Sequence, residues 1–271
     1  MLTREWYTMH NVILRRRKPM TTALAMICDD GMIMGTDMKV TFGDIKSKTE
    51  KLMMTATLGK CPLVIAAAGR LRHTRDVLDW MELDKLNETL GEDTNFDEFL
   101  DQIVEARLPQ FASDYHNKYG ESPEVELIVG LIDKDKKPHL VSIYEDGDYD
   151  YKDDFAAIGS GSIFGEILLR KLHHTKINLS TAQRLIGYII WEIQEIDNYS
   201  GEHMQIAQIN SKSKLTKVDN IEIEAYKHLP RIVTPSYTAI REQIENLDLE
   251  PIKEQIRKLE ETIDQATHPK E

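Results

Sequence analysis

The stretch Thr21-Thr22-Ala23-Leu24-Ala25-Met26-Ile27-Cys28-Asp29-Asp30-Gly31-Met32-Ile33-Met34-Gly35-Thr36-Asp37 decides the architecture of this chain. Two short apolar runs flank the turn signal Asp29-Asp30-Gly31, the pattern of a β-hairpin. Neither run alternates cleanly between polar and apolar residues, so both faces of the hairpin are expected to be buried. Downstream, Pro62 to Ala68 is a further apolar run that ends at Gly69. Helical spacing follows from about Leu71 to Leu86 and again from Phe96 to Tyr119, with apolar residues three and four apart. Strand patterns resume at Val125–Ile132 and His139–Tyr144 around the turn Asp133–Pro138. After Phe155–Ile158 comes Gly159-Ser160-Gly161-Ser162, then a helix to about His173 and another from Ser180 to Ile196, expected to open on a Ser or Thr cap. Strands, two helices, strands, two helices, with hairpins in place of alternating β-α units, predict an α+β layered sandwich.

At 271 residues with 41% apolar content, the chain can bury a sizeable core. A formal charge of -12, from 34 basic and 46 acidic residues, argues against nucleic acid as a partner, because phosphate neutralisation needs clustered Lys and Arg. Cys28 and Cys61 lie in apolar runs and are expected to be buried thiols of a cytoplasmic protein. No run approaches the ~20 apolar residues that span a bilayer, so no membrane partner is expected. Residues 1–20 carry Arg4, Arg15, Arg16, Arg17 and Lys18 around a short, broken apolar stretch that makes no signal-peptide core. They are expected to be a pro-segment or a spurious upstream extension, since Met20 before Thr21 is itself a possible start; a nuclear address is the weaker alternative. Past about Ile232 the chain turns polar and charged. There Ile252, Ile256, Leu259 and Ile263 follow Pro251 as the seam of an amphipathic helix, docked on its own subunit or reaching a neighbour. The expected divisions are therefore 1–20, a domain over 21–231 and a helical extension over 232–271.

The usual local signatures of catalysis are missing. There is no phosphate-cradling glycine loop, no helical His-Glu-x-x-His and no nucleophile elbow. His173 and His174 are adjacent, which on a helix points them about 100° apart, so a surface or packing role is expected and no metal. Gly159 to Ser162 ahead of a helix could hold an anion, weakly indicated on its own.

Read together, the pieces resemble proteasome β-subunits over roughly residues 21–210. Thr21-Thr22-Ala23-Leu24-Ala25, Asp30-Gly31 and Gly35-Thr36-Asp37 are in register with the start of that family, without a gap from nucleophile to aspartate. Lys51-Leu52 resembles its active-site lysine; the loop before it is about two residues shorter than usual, which leaves Lys48 as a competitor. Ala68-Gly69 is similar to the strand end whose glycine N–H faces the oxyanion. Gly159-Ser160-Gly161 and Asp197-Asn198-Tyr199-Ser200-Gly201 are similar to the family's Gly-Ser-Gly and Asp-x-x-Ser-Gly. Singly, each has an ordinary explanation as strand, turn or cap. In order and at these spacings they are specific.

The resemblance implies a four-layer αββα sandwich of the N-terminal-nucleophile hydrolases and a threonine endopeptidase. Thr21 would be the nucleophile, with its own freed α-amine as base. Lys51 would depress that amine and relay the proton, Asp37 would orient the lysine, and Asp197, Ser160 and Ser200 would complete the network. The Gly69 N–H would meet the oxyanion. Val40, Met53, Ala67 and Leu71 would line the first specificity pocket, preferring apolar side chains, and Thr41 would bond substrate backbone. No cofactor or metal is implied. The implied partners are polypeptide substrates, like subunits in a ring and an ATPase unfoldase. Met20 stands where the family's precursors carry glycine, so removal of the leader by autolysis is not implied; an aminopeptidase acting after a start at Met20 could expose Thr21, as in the related bacterial peptidase. Two alternatives stay open: an amidase or acyl transferase on the same fold, and an inert structural subunit that keeps residues 1–20.

Overall fold

The computed structural model describes residues 21–42, 45–48, 53–82, 85–91, 94–173, 176–197, 200, 201, 203–226, 228, 254 and 258. The opening hairpin forms as its sequence dictates: β1 (Thr22–Cys28) and β2 (Gly31–Asp37) pair antiparallel, Ala23 opposite Thr36 and Cys28 opposite Gly31. A small two-stranded sheet, β3 (Lys39–Phe42) with β4 (Ile45–Lys48), follows. Then β5 (Met53–Leu58) and β6 (Cys61–Gly69) make a second hairpin. With β7 (Val125–Ile132), β8 (Pro138–Tyr144) and β9 (Tyr149–Tyr151) they form a five-stranded antiparallel sheet in the order β5-β6-β7-β8-β9. The other sheet collects β10 (Phe155–Gly159), β1, β2, β11 (Met204–Asn210) and β12 (Leu215–Lys217), in that order.

The two sheets face each other. Ala23, Ala25, Met32, Met34, Ala156, Ile158, Ala207 and Ile209 from one share a buried cluster with Val64, Ala66, Ala68, Ile128, Ile132 and Leu140 from the other. Strand alternation sends the opposite set outward: Leu63, Ile65, Ala67, Val125, Leu127 and Val129 pack under a helical layer. That layer holds α1 (Leu71–Trp80), α2 (Leu86–Leu90), α3 (Phe96–Phe99), a π-helical segment (Leu100–Glu105) and α4 (Leu108–Tyr119). On the far side of the first sheet lie α5 (Ser162–Leu172), α6 (Leu179–Ile196) and α7 (Asn220–Tyr226). Helices, sheet, sheet, helices is the four-layer α+β sandwich. It leaves each strand of the opening hairpin covered on both faces, which is why neither alternates.

The longest helix among the described residues, α6, buries Ala182, Ile186, Ile189, Ile190 and Ile193 at three- and four-residue steps. It comes close to β2 because Gly35 has no side chain: a Cβ there would run into Ile186 and Ile190.

Four local expectations need correction. The helix from Leu71 stops at Trp80, and Glu82 takes φ 46° before the chain resumes helix at Leu86. The span Phe96–Tyr119 is three segments, and the break before α4 falls where Pro109 has no N–H to give a preceding turn. The cap of α6 is Asn178, whose Oδ1 accepts the Thr181 N–H at 2.9 Å, and not a Ser or Thr, so the helix starts one residue before Ser180. Cys61 is only half-buried, whereas Cys28 is buried with its thiol pushed up to about 12, first by burial and then by Asp30 and Asp29.

The chain divides into a unit through Lys227 and a second unit from His228 to Glu271. In the second, Glu254 and Lys258 are helical and approach to 3.7 Å. The apolar seam from Ile252 to Ile263 and the leader 1–20 lie outside the described residues. No helix among the described residues is long and apolar enough to cross a membrane.

Candidate active site

Thr21 precedes the first strand, and the peptide bond joining it to Thr22 is held at both polar ends. The Thr21 carbonyl accepts the Ser160 N–H at 2.8 Å, and the Thr22 N–H donates to Asp37 Oδ1 at 2.9 Å. Both contacts come from β-pairing. Thr22 lies opposite Gly159 on β10, and Ala23 lies opposite Thr36 on β2, so Ser160 and Asp37 are the next residues out on the two neighbours. Pinning a peptide plane at N–H and C=O fixes the rotation of the residue before it, here the residue whose hydroxyl and amine would react. Thr36 extends the hold by donating its hydroxyl to the Thr22 carbonyl at 3.1 Å.

Behind this peptide runs a chain of hydrogen bonds whose direction can be assigned. Ser160 Oγ and Ser200 Oγ both reach Asp197 Oδ2, at 2.5 and 2.7 Å; a carboxylate accepts, so both hydroxyls donate. The Thr22 Oγ1 to Ser200 Oγ contact of 2.6 Å must then be donated by Thr22, and Thr22 Oγ1 accepts the Gly161 N–H at 3.2 Å. The sequence Gly161 N–H, Thr22, Ser200, Asp197 is thus oriented end to end, and such chains strengthen each member in a low-dielectric interior. Asp37 closes the other flank by accepting the Gly201 N–H on Oδ2 at 3.1 Å. All of Thr21, Thr22, Asp37, Ser160, Asp197 and Ser200 are buried.

Gly159 makes the geometry possible. It adopts φ 91°, and a Cβ at that position would sit inside the Thr21 carbonyl and against Ala68. The Gly159-Ser160-Gly161 turn therefore has no N–H left for an external anion: Gly159 donates to Glu126 Oε2 at 2.8 Å, Ser160 to Thr21 and Gly161 to Thr22. None of these three amides supports the anion-binding reading of the segment.

Of the residues singled out from sequence, Thr21, Asp37, Ser160, Asp197 and Ser200 meet at one place. Gly69 ends β6 next to Ala68, which touches the Gly159 position. Ala67 and Leu71 meet in the apolar cluster on the helix side of β6. Val40 and Thr41 lie in β3 and Met53 in β5. Lys51 is outside the described residues. His173 stacks edge-on against Phe155 at 5.7 Å, a packing role, and His174 is outside the described residues. Among the described residues, no group of three or more His, Cys, Asp or Glu could hold a metal ion. Sequence reasoning missed Thr36, Gly161, Gly201 and Glu126 as parts of the site. Their roles depend on which strands become neighbours, and only the pairing of Ala23 with Thr36 could have been anticipated from the hairpin.

The proteasome subunit family profile matches residues 19–209 of the chain, a span that takes in every strand and helix contributing to this site. The chain belongs to the proteasome subunit family. A proteasome subunit beta from Methanococcus vannielii is 22% identical over 204 residues, covering 75% of this chain and 89% of that relative. Among solved structures, Anbu from Yersinia bercovieri, described as an ancestral beta-subunit, superposes with a TM-score of 0.66 at 15% identity, covering 81% of this chain and 97% of its own. The Anbu complex from Pseudomonas aeruginosa, solved as a helical assembly, gives 0.64 at 18% identity, covering 84% and 97%. At these identities the structural matches establish the proteasome-like fold.

Proposed function

We propose that this chain is a threonine-type endopeptidase in which Thr21, freed of the residues before it, is the nucleophile and its α-amine the base. The observation that carries the reading is the doubly held Thr21–Thr22 peptide backed by the Asp197, Ser160 and Ser200 cluster. A threonine hydroxyl reacts at neutral pH only beside a base, and an amine on the same residue is a base whose position is fixed as soon as the backbone is. Proton transfer from Oγ to the amine would accompany attack on a substrate carbonyl, and Lys51 and Asp37 would govern the charge on the amine. The Gly69 N–H would face the oxyanion, and Val40, Met53, Ala67 and Leu71 would form an apolar first pocket, with Thr41 on the substrate backbone. Assembly with like subunits is part of the proposal. The exposed Ile163, Phe164, Ile167 and Leu172 on α5 support it, since apolar side chains gathered on one helix favour association. The free thiols support a reducing, cytoplasmic setting, and an ATPase unfoldase as partner rests on the family resemblance alone.

A structural role without catalysis is favoured by one observation: Thr21 is wholly inaccessible in a chain that continues back through Met20, where its nitrogen is an amide and no base. N-terminal sequencing of the protein from its native source separates the two. A mature chain beginning at Thr21 that hydrolyses peptides, with Thr21→Ala lowering turnover by about a thousandfold or more, is expected for the peptidase. Retention of residues 1–20 would sink it.

A further inference from the structure

Glu126 is a carboxylate that the threonine chemistry does not use. It sits in β7, the middle strand of the β5–β9 sheet, opposite Ala68 on one side and Tyr144 on the other. Alternation puts it on the same face as Ile128 and Ile132, which point between the two sheets. Glu126 is half-buried there, and a carboxylate partly withdrawn from water is stabilised by a hydrogen-bond donor. What it bonds is in the opposite sheet: its Oε2 accepts the Gly159 N–H at 2.8 Å.

We propose that Glu126 is a positioning residue, a cross-sheet anchor that fixes the first amide of the Gly159–Gly161 turn so that the next two grip the threonine pair. Three successive N–H groups point to three separate acceptors: Glu126, the Thr21 carbonyl and the Thr22 hydroxyl. The turn starts at Gly159 with φ 91°, a conformation with no side chain of its own to hold it. An ionised acceptor gives the shorter and stronger kind of amide hydrogen bond, and β7 is paired on both sides, so the anchor point is stiff. Releasing Gly159 would let the turn swing, and with it both the Ser160 N–H on Thr21 and the Ser160 hydroxyl on Asp197. Glu126 thus acts through Gly159 and Ser160 and touches no reacting atom. Its effect on turnover rests on the reading of Thr21 as nucleophile; its hold on the turn does not.

The test uses the full chain with Glu126→Ala and Glu126→Gln, the second keeping a carbonyl acceptor. Hydrogen exchange by mass spectrometry over residues 157–162 reads the turn directly, whether or not the protein is active. Glu126→Ala is expected to speed exchange there by about tenfold, the loss of one such bond, while β7 and β8 stay protected, and Glu126→Gln is expected to restore most of it. In peptide hydrolysis Glu126→Ala is expected to lower kcat by about tenfold with KM within about twofold, the mark of a misplaced nucleophile, and Glu126→Gln to recover it. Unchanged exchange in a folded Glu126→Ala protein overturns the anchor. Faster exchange with kcat unchanged in an active enzyme overturns the positioning role. A wild-type protein with no Thr21-dependent turnover refutes the nucleophile and leaves the exchange result to decide the anchor by itself. If Glu126→Ala does not fold, Glu126→Met, which keeps the bulk of the side chain and removes the acceptor, takes its place: exchange over residues 157–162 and kcat are expected to change as for the alanine variant, and wild-type values for both overturn the proposal.

Discussion

Asp197 accepts two hydroxyl hydrogens on one oxygen, Oδ2, inside the protein, and this makes its replacement diagnostic. Asp197→Ala removes the acceptor that the buried Ser160 and Ser200 hydroxyls share, and is expected to lower stability by about 2–3 kcal/mol. Asp197→Asn keeps one carbonyl oxygen able to accept both, and is expected to cost about 1 kcal/mol or less in the same urea melt. Equal losses for the two would mean that the carboxylate charge, and not the acceptor geometry, holds the cluster. Gly159 makes a steric prediction of the opposite kind. A methyl group there meets the Thr21 carbonyl, a backbone atom that cannot turn aside, so Gly159→Ala is expected to destabilise by about 2–4 kcal/mol. At this scale the resemblance to proteasome β-subunits picked out Thr21, Asp37, Ser160, Asp197 and Ser200, each within a short motif. Glu126 was not legible: one glutamate in an apolar strand carries no sign that its partner lies 33 residues away in another sheet.

The last helix before Lys227, α7, is fastened by Tyr226, which lies over Gly187 of α6, takes a hydrogen bond from Gln183 Nε2 at 2.7 Å and gives one to Glu222 at 3.1 Å. Burial, followed by the Glu222 bond and its charge, pushes the Tyr226 phenol up to about 12, partly opposed by Gln183. The sign follows from linkage. Below the unfolded value of about 10 both states keep the proton, so the contribution is fully present; above it the unfolded chain loses its proton first, and stability falls as pH climbs through the folded value. Urea midpoints are therefore expected to drop between about pH 10 and about pH 12, and Tyr226→Phe is expected to make that drop shallower while costing about 1 kcal/mol at neutral pH. An identical alkaline slope in the variant would show that Tyr226 does not carry it. Periodicity revealed most elements here, but their ends followed local chemistry that it does not encode: Pro109 opening α4 and Asn178 capping α6.

For the molecule as a whole, the decisive feature is how thin the layer between the sheets is. Ala23, Ala25, Ala66, Ala68, Ala156 and Ala207 line it, with Met32 and Met34 filling the gaps. Ala66→Leu adds volume where two sheets, not one flexible loop, must move, and is expected to cost about 1–3 kcal/mol, read as a lowered melting temperature. A stability within experimental error of wild type would mean that the sheets are not closely apposed at β6. The same apposition lets Glu126 of one sheet reach Gly159 of the other and brings Ala68, beside Gly69, up to the Thr21 turn. By itself the sequence determined the two-sided hairpin, the succession of strands and helices as far as Ile196, the layered α+β class and the motifs flanking Thr21, because periodicity, glycines and short spacings are local quantities; β11, β12 and α7 beyond it were not read. Only the tertiary structure decided which strands become neighbours. Asp37 and Thr36 reach the threonine pair within the opening hairpin, but Ser160 arrives from β10 and Glu126 reaches Gly159 from the opposite sheet, since hydrogen-bond partners more than a hairpin apart are chosen by the packing of sheets and not by adjacency in the chain.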